Sequence, residues 1–114
     1  MFLEHLAVED KSEIVARLER GIFLRAFSGR LCYEIHNMDS DGYLPTRKVV
    51  AKQFGLFPLG ITINTPDEAC RTYIKGFKRI GIEWDWVSGF IVVAKNSRAE
   101  RLIREIGHYR ESTI

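Results

Sequence analysis

The sequence has no apolar run longer than a few residues, and its only cysteines are Cys32 and Cys70. A membrane-spanning helix needs about 20 apolar residues, so we predict none. The segment 1–11 carries Glu4 within its apolar stretch and has no basic residues ahead of it, so we expect no secretory signal peptide. Because two cysteines do not form a disulfide framework, we predict a cytoplasmic chain with reduced thiols.

Signatures of catalysis and metal binding are also lacking. There is no nucleophile elbow, phosphate-binding glycine loop or HExxH motif. Cys32 and His36 are the one close pair of potential metal ligands, and no second pair has suitable spacing. Asp85 and Lys95 imitate part of a metal-dependent nuclease core, but Val93 occupies the position where that pattern has an acidic residue, so Glu83 or Glu100 would have to substitute. We therefore predict a non-catalytic protein with no cofactor and no metal.

The bulk composition is that of one globular domain, residues 1–114. The chain has 114 residues, of which 46% are hydrophobic and 28% charged, and this length suffices for a core without metals or disulfides. The net charge is only +2, but it is unevenly distributed. Residues 1–42 carry five basic and eight acidic side chains, and the remainder carries 12 basic and seven acidic ones. This asymmetry favours an anionic partner for the second part.

Three helices are predicted from their ends and apolar spacing. The first runs from about Asp10 to Arg20, and the last covers "SRAERLIREIGHYR" with Ser97 as its cap. The middle helix has the strongest signals, because Thr65 and Glu68 fit a capping box, Pro66 suits the first helical position and Gly81 comes after it as a stop.

Strands are predicted on either side of Ser88-Gly89, where alternating residues and "FIVVAK" favour a β-hairpin. Residues 22–36 fit either a helix or a second hairpin around Ser28-Gly29, and aromatic and β-branched residues favour the hairpin. The predicted fold is therefore α+β. It has a small antiparallel sheet of two to four strands, helices mainly on one face, and a C-terminal helix-hairpin-helix unit.

The segment "RKVVAKQFGLFPLGITIN", residues 47–64, resembles the helix-turn-helix motif of DNA-binding proteins. Ala51 lies four residues before Gly55, and apolar residues occupy the expected offsets. The first helix, predicted over Thr46 to Phe54, is consistent with this motif. The second is not, because "PLGITIN" is poor in helix-forming residues and offers no Arg, Lys or Gln to contact base edges. The motif "GITIN" is more typical of a short strand.

These patterns leave three function classes, the last of which is an enzyme, for which the sequence offers no constellation of catalytic residues. The first is a nucleic-acid-associated protein that binds the phosphates of DNA or RNA through basic helix faces. A regulatory protein is one form that this class includes. Its candidate residues are Arg47, Lys48, Lys52, Arg71, Lys75, Lys78, Arg79, Arg101 and Arg104. The alternative is a protein-interaction module or homodimeric subunit that uses Trp84 and Trp86 on the predicted hairpin. Both tryptophans are predicted on one face, where burial in the core competes with exposure to a partner.

Overall fold

The computed structural model describes residues 13–113, and its dominant feature is one antiparallel sheet of seven strands in the order β1-β2-β3-β7-β6-β5-β4. The strands are β1 Glu13–Arg17, β2 Ile22–Arg25, β3 Leu31–Ile35, β4 Phe57–Asn64, β5 Glu68–Lys75, β6 Lys78–Asp85 and β7 Gly89–Ala94. Two α-helices complete the fold, α1 Ser40–Phe54 and α2 Glu100–Ser112, and a 3-10 turn at Ser97–Ala99 leads into α2.

The predicted sheet of two to four strands is therefore wrong, because two predicted helices are strands. The first prediction, Asp10–Arg20, contains β1, and its residues 10–12 lie outside the described part of the chain. The second, from Thr65 to Gly81, is β5, a turn and the start of β6, so the helix-hairpin-helix unit does not exist. The predicted capping box forms a turn instead, in which the Glu68 N–H donates to Thr65 Oγ1 at 3.2 Å and the Thr65 N–H donates to the Glu68 carbonyl at 2.8 Å.

The remaining predicted elements are present with shifted boundaries. Residues 22–36 form the hairpin β2–β3, and β6–β7 is the hairpin predicted before the last helix. The connection of the β6–β7 hairpin consists of Trp86 to Ser88, because Asp85 pairs with Gly89. Gly89 has φ +74°, and its α-carbon lies against the Ile35 carbonyl, so a side chain does not fit there.

The helix-turn-helix resemblance ends at Gly55. Helix α1 begins at Ser40, earlier than predicted, because the Asp39 side chain caps the Gly42 N–H. It ends at Gly55, which is left-handed with φ 64°, and the Leu56 N–H closes the end by donating to the Ala51 carbonyl at 2.9 Å. The chain then enters strand β4, so the motif has no recognition helix.

The core lies between the two helices and one face of the sheet. Alternation along the strands puts Tyr33, Val92 and Ile82 in one row on this face, and all three are buried. Helix α2 covers this row where Gly107 lies against the rings of Phe23 and Tyr33. Helix α1 covers the neighbouring part of the same face. The other face carries mixed side chains, and no described helix packs on it.

This α1 contact is fixed by two polar groups. The Tyr43 hydroxyl donates to the Ile82 carbonyl at 2.6 Å, and the Trp84 Nε1–H donates to the Met38 carbonyl at 2.9 Å. Since both aromatic side chains are buried, these bonds satisfy polar groups that would otherwise be costly to bury.

Candidate nucleic-acid interface

Successive connections of the sheet alternate between its two ends, and their charges differ by end. One end holds residues 26–30, 55–56, 76–77 and 95–99, with the cations Arg30, Lys95 and Arg98 and no carboxylate among these described residues. Lys75 and Lys78 add two more cations where β5 ends and β6 begins. We call it the basic end. Three carboxylates lie close to this end: Glu13 is opposite Arg25 in the sheet, Glu100 pairs with Arg25 at 3.0 Å, and Glu83 pairs with Lys95 at 3.1 Å.

The opposite end, which we call the acidic end, holds residues 18–21, 36–39, 65–67 and 86–88. These connections carry Glu19, Asp39 and Asp67 against the cation Arg20. Glu68 and Asp85 add carboxylates at the strand ends. The charge is thus separated along the strand direction, and the resulting field attracts an anion to the basic end.

The most prominent feature of the basic end is the tight turn between β5 and β6. Lys75 pairs with Lys78, so Gly76 and Phe77 are the two central residues, and Gly76 has φ +61°, as two-residue hairpin turns require at that position. Asn96 holds the turn from the neighbouring segment. Its Nδ2 donates to the Phe77 carbonyl at 2.9 Å, and its Oδ1 accepts from the Arg79 N–H at 3.3 Å. Lys75 and Lys78 are therefore presented on a defined backbone.

Three exposed phenylalanines also lie at the basic end. Phe77 is 82% exposed at the β5–β6 turn, Phe57 is 71% exposed at the start of β4, and Phe27 is 64% exposed in the β2–β3 connection. The guanidinium carbon of Arg98 lies 5.7 Å from the centroid of the Phe77 ring, which is within cation-π range. Phe77 thus lies among cations, whereas Phe57 pairs with Ile74 and points to the face without helices.

The basic surface continues along the outside of α2. Arg98, Arg101 and Arg104 recur every third residue and are all exposed. Helix α2 starts at the basic end and finishes at the acidic end, where Glu111 contacts the β1–β2 connection. A shallow groove of about 750 Å³ runs along this outer face between Arg101 and Ser112. Glu105 offsets part of the positive charge there, since its carboxylate lies 3.6 Å from the Arg101 Nε.

The residues predicted as one basic helix face are divided by the strand geometry. Arg71, Lys75 and Lys78 lie on the helix-bearing face of the sheet, and Arg79 points to the other face. Arg71 lies inside the sheet rather than at the basic end, and its guanidinium donates to the Thr62 hydroxyl. Lys75, Lys78 and Arg79 remain together because they flank the same turn.

The predicted residues of α1 do not join this surface as a group. Arg47 lines a separate groove of about 520 Å³ toward the acidic end, between the start of α1 and residues Thr62 and Asn64. Its guanidinium carbon lies 5.4 Å from the Tyr43 ring centroid. Lys48 is exposed in the middle of α1, and Lys52 is exposed in its last turn.

The two tryptophans do not share a surface, contrary to the predicted common face. Trp84 is 9% exposed and belongs to the core. Trp86 is 73% exposed in the β6–β7 connection, at the acidic end. That connection is fixed, because Asp85 Oδ1 accepts from the N–H groups of Val87 and Ser88 at 2.9 and 2.6 Å.

The acidic residues considered for a nuclease core have structural partners. Asp85 caps its turn, and Glu83 pairs with Lys95 at 3.1 Å on the face without helices. Among residues 13–113 no group of three His, Cys, Asp or Glu side chains could hold a metal ion. Burial, and after it the nearby Glu34 carboxylate, raises the pKa of Cys32 to about 12, so this thiol is not an activated nucleophile.

Six residues of the basic end are not among the predicted phosphate-binding or partner-binding residues, namely Arg30, Lys95, Arg98, Phe27, Phe57 and Phe77. The helix predicted after Thr65 would place Phe77 on its apolar face with Tyr73 and Ile80, and the predicted last helix contains Arg98 next to its cap. The available signal was the Lys-Gly-Phe-Lys order of residues 75–78, which is a two-residue turn between cations.

The chain matches no protein-family model, and no curated protein or solved structure is significantly similar to it. No helix within residues 13–113 has the length and apolar character needed to cross a membrane.

Proposed function

We propose that the protein is a non-catalytic nucleic-acid-binding protein whose basic end and α2 contact the phosphate backbone. The observation that supports this most is the gathering of Lys75, Lys78 and Arg98 at one end of the sheet, with no carboxylate in the described connections there. These cations come from separate parts of the sequence, so their proximity is a property of the fold. Clustered Lys and Arg on one surface are the electrostatic feature typical of phosphate binding.

The path of the cations fits an extended polyanion better than a single small anion. Arg101 and Arg104 continue the surface from Arg98 for about 9 Å along α2, at the usual helical rise per residue. A compact anion would need convergent donors in an enclosed pocket, whereas these side chains are exposed and succeed one another along the helix. A chain of phosphates matches this linear arrangement.

The test is an anisotropy titration of labelled DNA and RNA against the purified protein over a range of salt concentrations. Each lost phosphate contact should reduce the slope of log K against log salt by about 0.7 on a single strand or about 0.9 on a duplex. Lys75→Gln, Lys78→Gln and Arg98→Gln should each produce such a decrease. Arg17→Gln removes an equal charge from an exposed site on β1, near the acidic end, and should leave the slope unchanged.

Two results would contradict the proposal. One is the absence of binding at low salt with protein well above micromolar concentration. The other is a salt slope that does not change when all three cations of the basic end are replaced together.

A second candidate function, binding of a protein partner or self-association, rests on the β6–β7 connection. Trp86 and Val87 are 73% and 68% exposed on a turn that Asp85 holds in place. Exposed tryptophan on a rigid support is typical of interaction hot spots. Sedimentation equilibrium of the wild type and of Trp86→Ala tests it, because this function requires an assembly, with itself or with an added partner, that the substitution disrupts.

We also propose a cytoplasmic location. Cys32 and Cys70 are both free thiols, and unpaired cysteines are typical of reducing compartments.

A further inference from the structure

The aromatic rings at the basic end point to a more specific ligand than phosphate alone. Phe77, Phe57 and Phe27 are each more than half exposed, although phenylalanine is among the residues most often buried in proteins. Single exposed apolar residues are common and need no explanation. Three of them at one end of a sheet are less usual, and one, Phe77, lies between Lys75 and Lys78 in sequence and beside Arg98 in space, which gives a combined aromatic and cationic surface.

The spacing of these rings results from the order of the strands. Phe57 begins β4, next to the β5–β6 turn that carries Phe77, and neighbouring strands lie about 4.8 Å apart. Phe57 is therefore displaced from that turn by one to two strand spacings, about 7 Å. Phe27 lies in the connection between β2 and β3, about three strand spacings or 14 Å from the same turn. The backbone positions of the three phenylalanines thus follow the sheet end, but Phe57 pairs with Ile74 and points to the face without helices, so Phe77 is the ring that lies beside Lys75 and Lys78.

The Phe77 ring is supported in place. The Asn96 side chain bonds to the Phe77 carbonyl, and the Arg98 guanidinium lies 5.7 Å from the ring centroid. Because the backbone that carries the ring is already held, less freedom is lost when another flat group stacks on the ring.

We infer that the basic end binds single-stranded nucleic acid, of which an unpaired base stacks on Phe77 while Lys75, Lys78 and Arg98 contact the phosphates. This inference rests on the proposed function. The rings require an exposed base face, which single strands offer and an intact duplex does not. Stacking is tolerant of sequence because every base has a π-face, so little base preference is expected.

An anionic membrane surface is the other ligand that aromatic rings and cations together could bind. The extent of the basic surface favours the nucleic acid. Arg101 and Arg104 lie on the side of the molecule, progressively farther from the sheet end along α2. A flat bilayer that touched Phe77 would not reach these two arginines. A flexible single strand of nucleic acid can bend from the sheet end and continue along α2.

The test compares a labelled 20-nucleotide oligothymidine with a duplex of equal length, at near-physiological salt. The wild type should bind the single strand more tightly. Phe77→Ala should weaken single-strand binding about 5- to 150-fold, the range found for removal of one stacking ring, and should change duplex binding less than about twofold. Phe77→Leu should cause a similar loss, because leucine keeps the apolar character but has no ring.

Trp86→Ala is the matched control, since it removes an exposed aromatic side chain from the acidic end. It should leave both affinities unchanged. Circular dichroism should be the same for all variants, since Phe77 and Trp86 are both largely exposed and their loss leaves the core intact.

The outcomes separate the two proposals. If neither polymer binds at low salt, the proposed function fails and this inference fails with it. If both polymers bind equally and Phe77→Ala has no effect, the inference alone is refuted. Binding to phosphatidylserine vesicles that Phe77→Ala abolishes and Phe77→Leu preserves, without single-strand preference, would also refute it and assign the surface to a membrane.

Discussion

Glu111 should be one of the most important residues of the fold outside the core, although it lies near the end of α2. Its carboxylate accepts hydrogen bonds from the N–H groups of Arg20 and Gly21, at 2.9 and 2.8 Å, and from the Tyr33 hydroxyl at 2.7 Å. Tyr33 is completely buried. One side chain therefore ties α2 to the β1–β2 connection and to the centre of the sheet.

The expected cost of Glu111→Ala can be worked out from these three bonds. Hydrogen bonds to a charged group contribute about 1.5–3 kcal/mol each. Glu111 is only partly buried, and water can reach some of the donors, so we expect a combined loss of about 2–4 kcal/mol rather than the full sum. For a domain of this size, that loss lowers Tm by roughly 10–20 °C.

Urea unfolding of wild type, Glu111→Ala and Glu105→Ala measures this effect. Glu105 is a suitable control because it lies on the same helix, and its only described ion pair is the exposed one with Arg101. Its replacement should change the free energy of unfolding by less than about 1 kcal/mol. Equal stabilities of the two variants would refute the role assigned to Glu111.

The same residue predicts a pH dependence. Burial opposes ionisation of Glu111, but the bonds from Tyr33, Arg20 and Gly21 outweigh it and lower the pKa below 4.5. A carboxylate whose pKa is lower in the folded state stabilises the protein above its unfolded pKa, and this contribution is lost as the pH falls through the folded pKa. The stability difference between wild type and Glu111→Ala should therefore be largest near neutral pH and shrink below about pH 4.5.

Three further predictions concern positions where space or burial is decisive. Gly89→Ala should lower the free energy of unfolding by several times the roughly 1–2 kcal/mol expected for Gly60→Ala. Both glycines have positive φ, but only at Gly89 would the new methyl group collide with neighbouring backbone atoms. Chemical denaturation of both variants measures the difference. Gly107→Ala should lower Tm, although alanine favours helices by about 1 kcal/mol, because the new methyl group would collide with the Phe23 ring. Cys32 should not react with a thiol reagent at pH 8 until the protein unfolds, since its pKa is about 12; labelling and then mass spectrometry measures it.

The sequence predicted elements well where local and tertiary preferences agree. Helix α2 has apolar residues at helical spacing and no competing alternation, and it forms as expected from Ser97 onward. The β2–β3 and β6–β7 hairpins have β-branched and aromatic residues on both sides of a turn. For α2 and β6–β7 the local signal and the burial requirement favour the same structure, and for residues 22–36, which also fit helical spacing, the aromatic and β-branched residues correctly favoured the hairpin.

The segment after Thr65 failed because its signals are ambiguous. Thr65 and Glu68 form similar side-chain-to-backbone bonds in a helix cap and in a hairpin turn, so the pair predicts a local bend but does not distinguish a helix from a strand after it. Ala69, Tyr73 and Ile80 fit helical spacing, but Ala69 and Tyr73 also fit alternation. Gly76 is unfavourable in the predicted helix and favourable at the turn, and it was the residue that distinguished the two.

The candidate site could be predicted only in part for the same reason. Lys75, Lys78 and Arg79 were identified by their charge, and they remain neighbours because they flank one turn. Phe77 was predicted to be buried, since a helix through this segment would have placed it on the apolar face. Replacing the helix by a hairpin moves it to the exposed tip.

The strand topology explains why the basic end is invisible in the one-dimensional charge distribution. In an antiparallel sheet each connection lies at the end opposite to the one before, so connections that are distant in sequence meet in space. Connections with mainly acidic groups alternate along the chain with connections that carry mainly basic groups. Dividing the sequence into an acidic first part and a basic second part therefore does not reveal the two charged ends. Arg30 lies in the acidic part of the sequence and Asp67 in the basic part, yet each lies at the end of the sheet that matches its own charge. The surface that a polyanion would contact is therefore defined by the order of the turns, and a prediction of its residues requires the strands to be correct first.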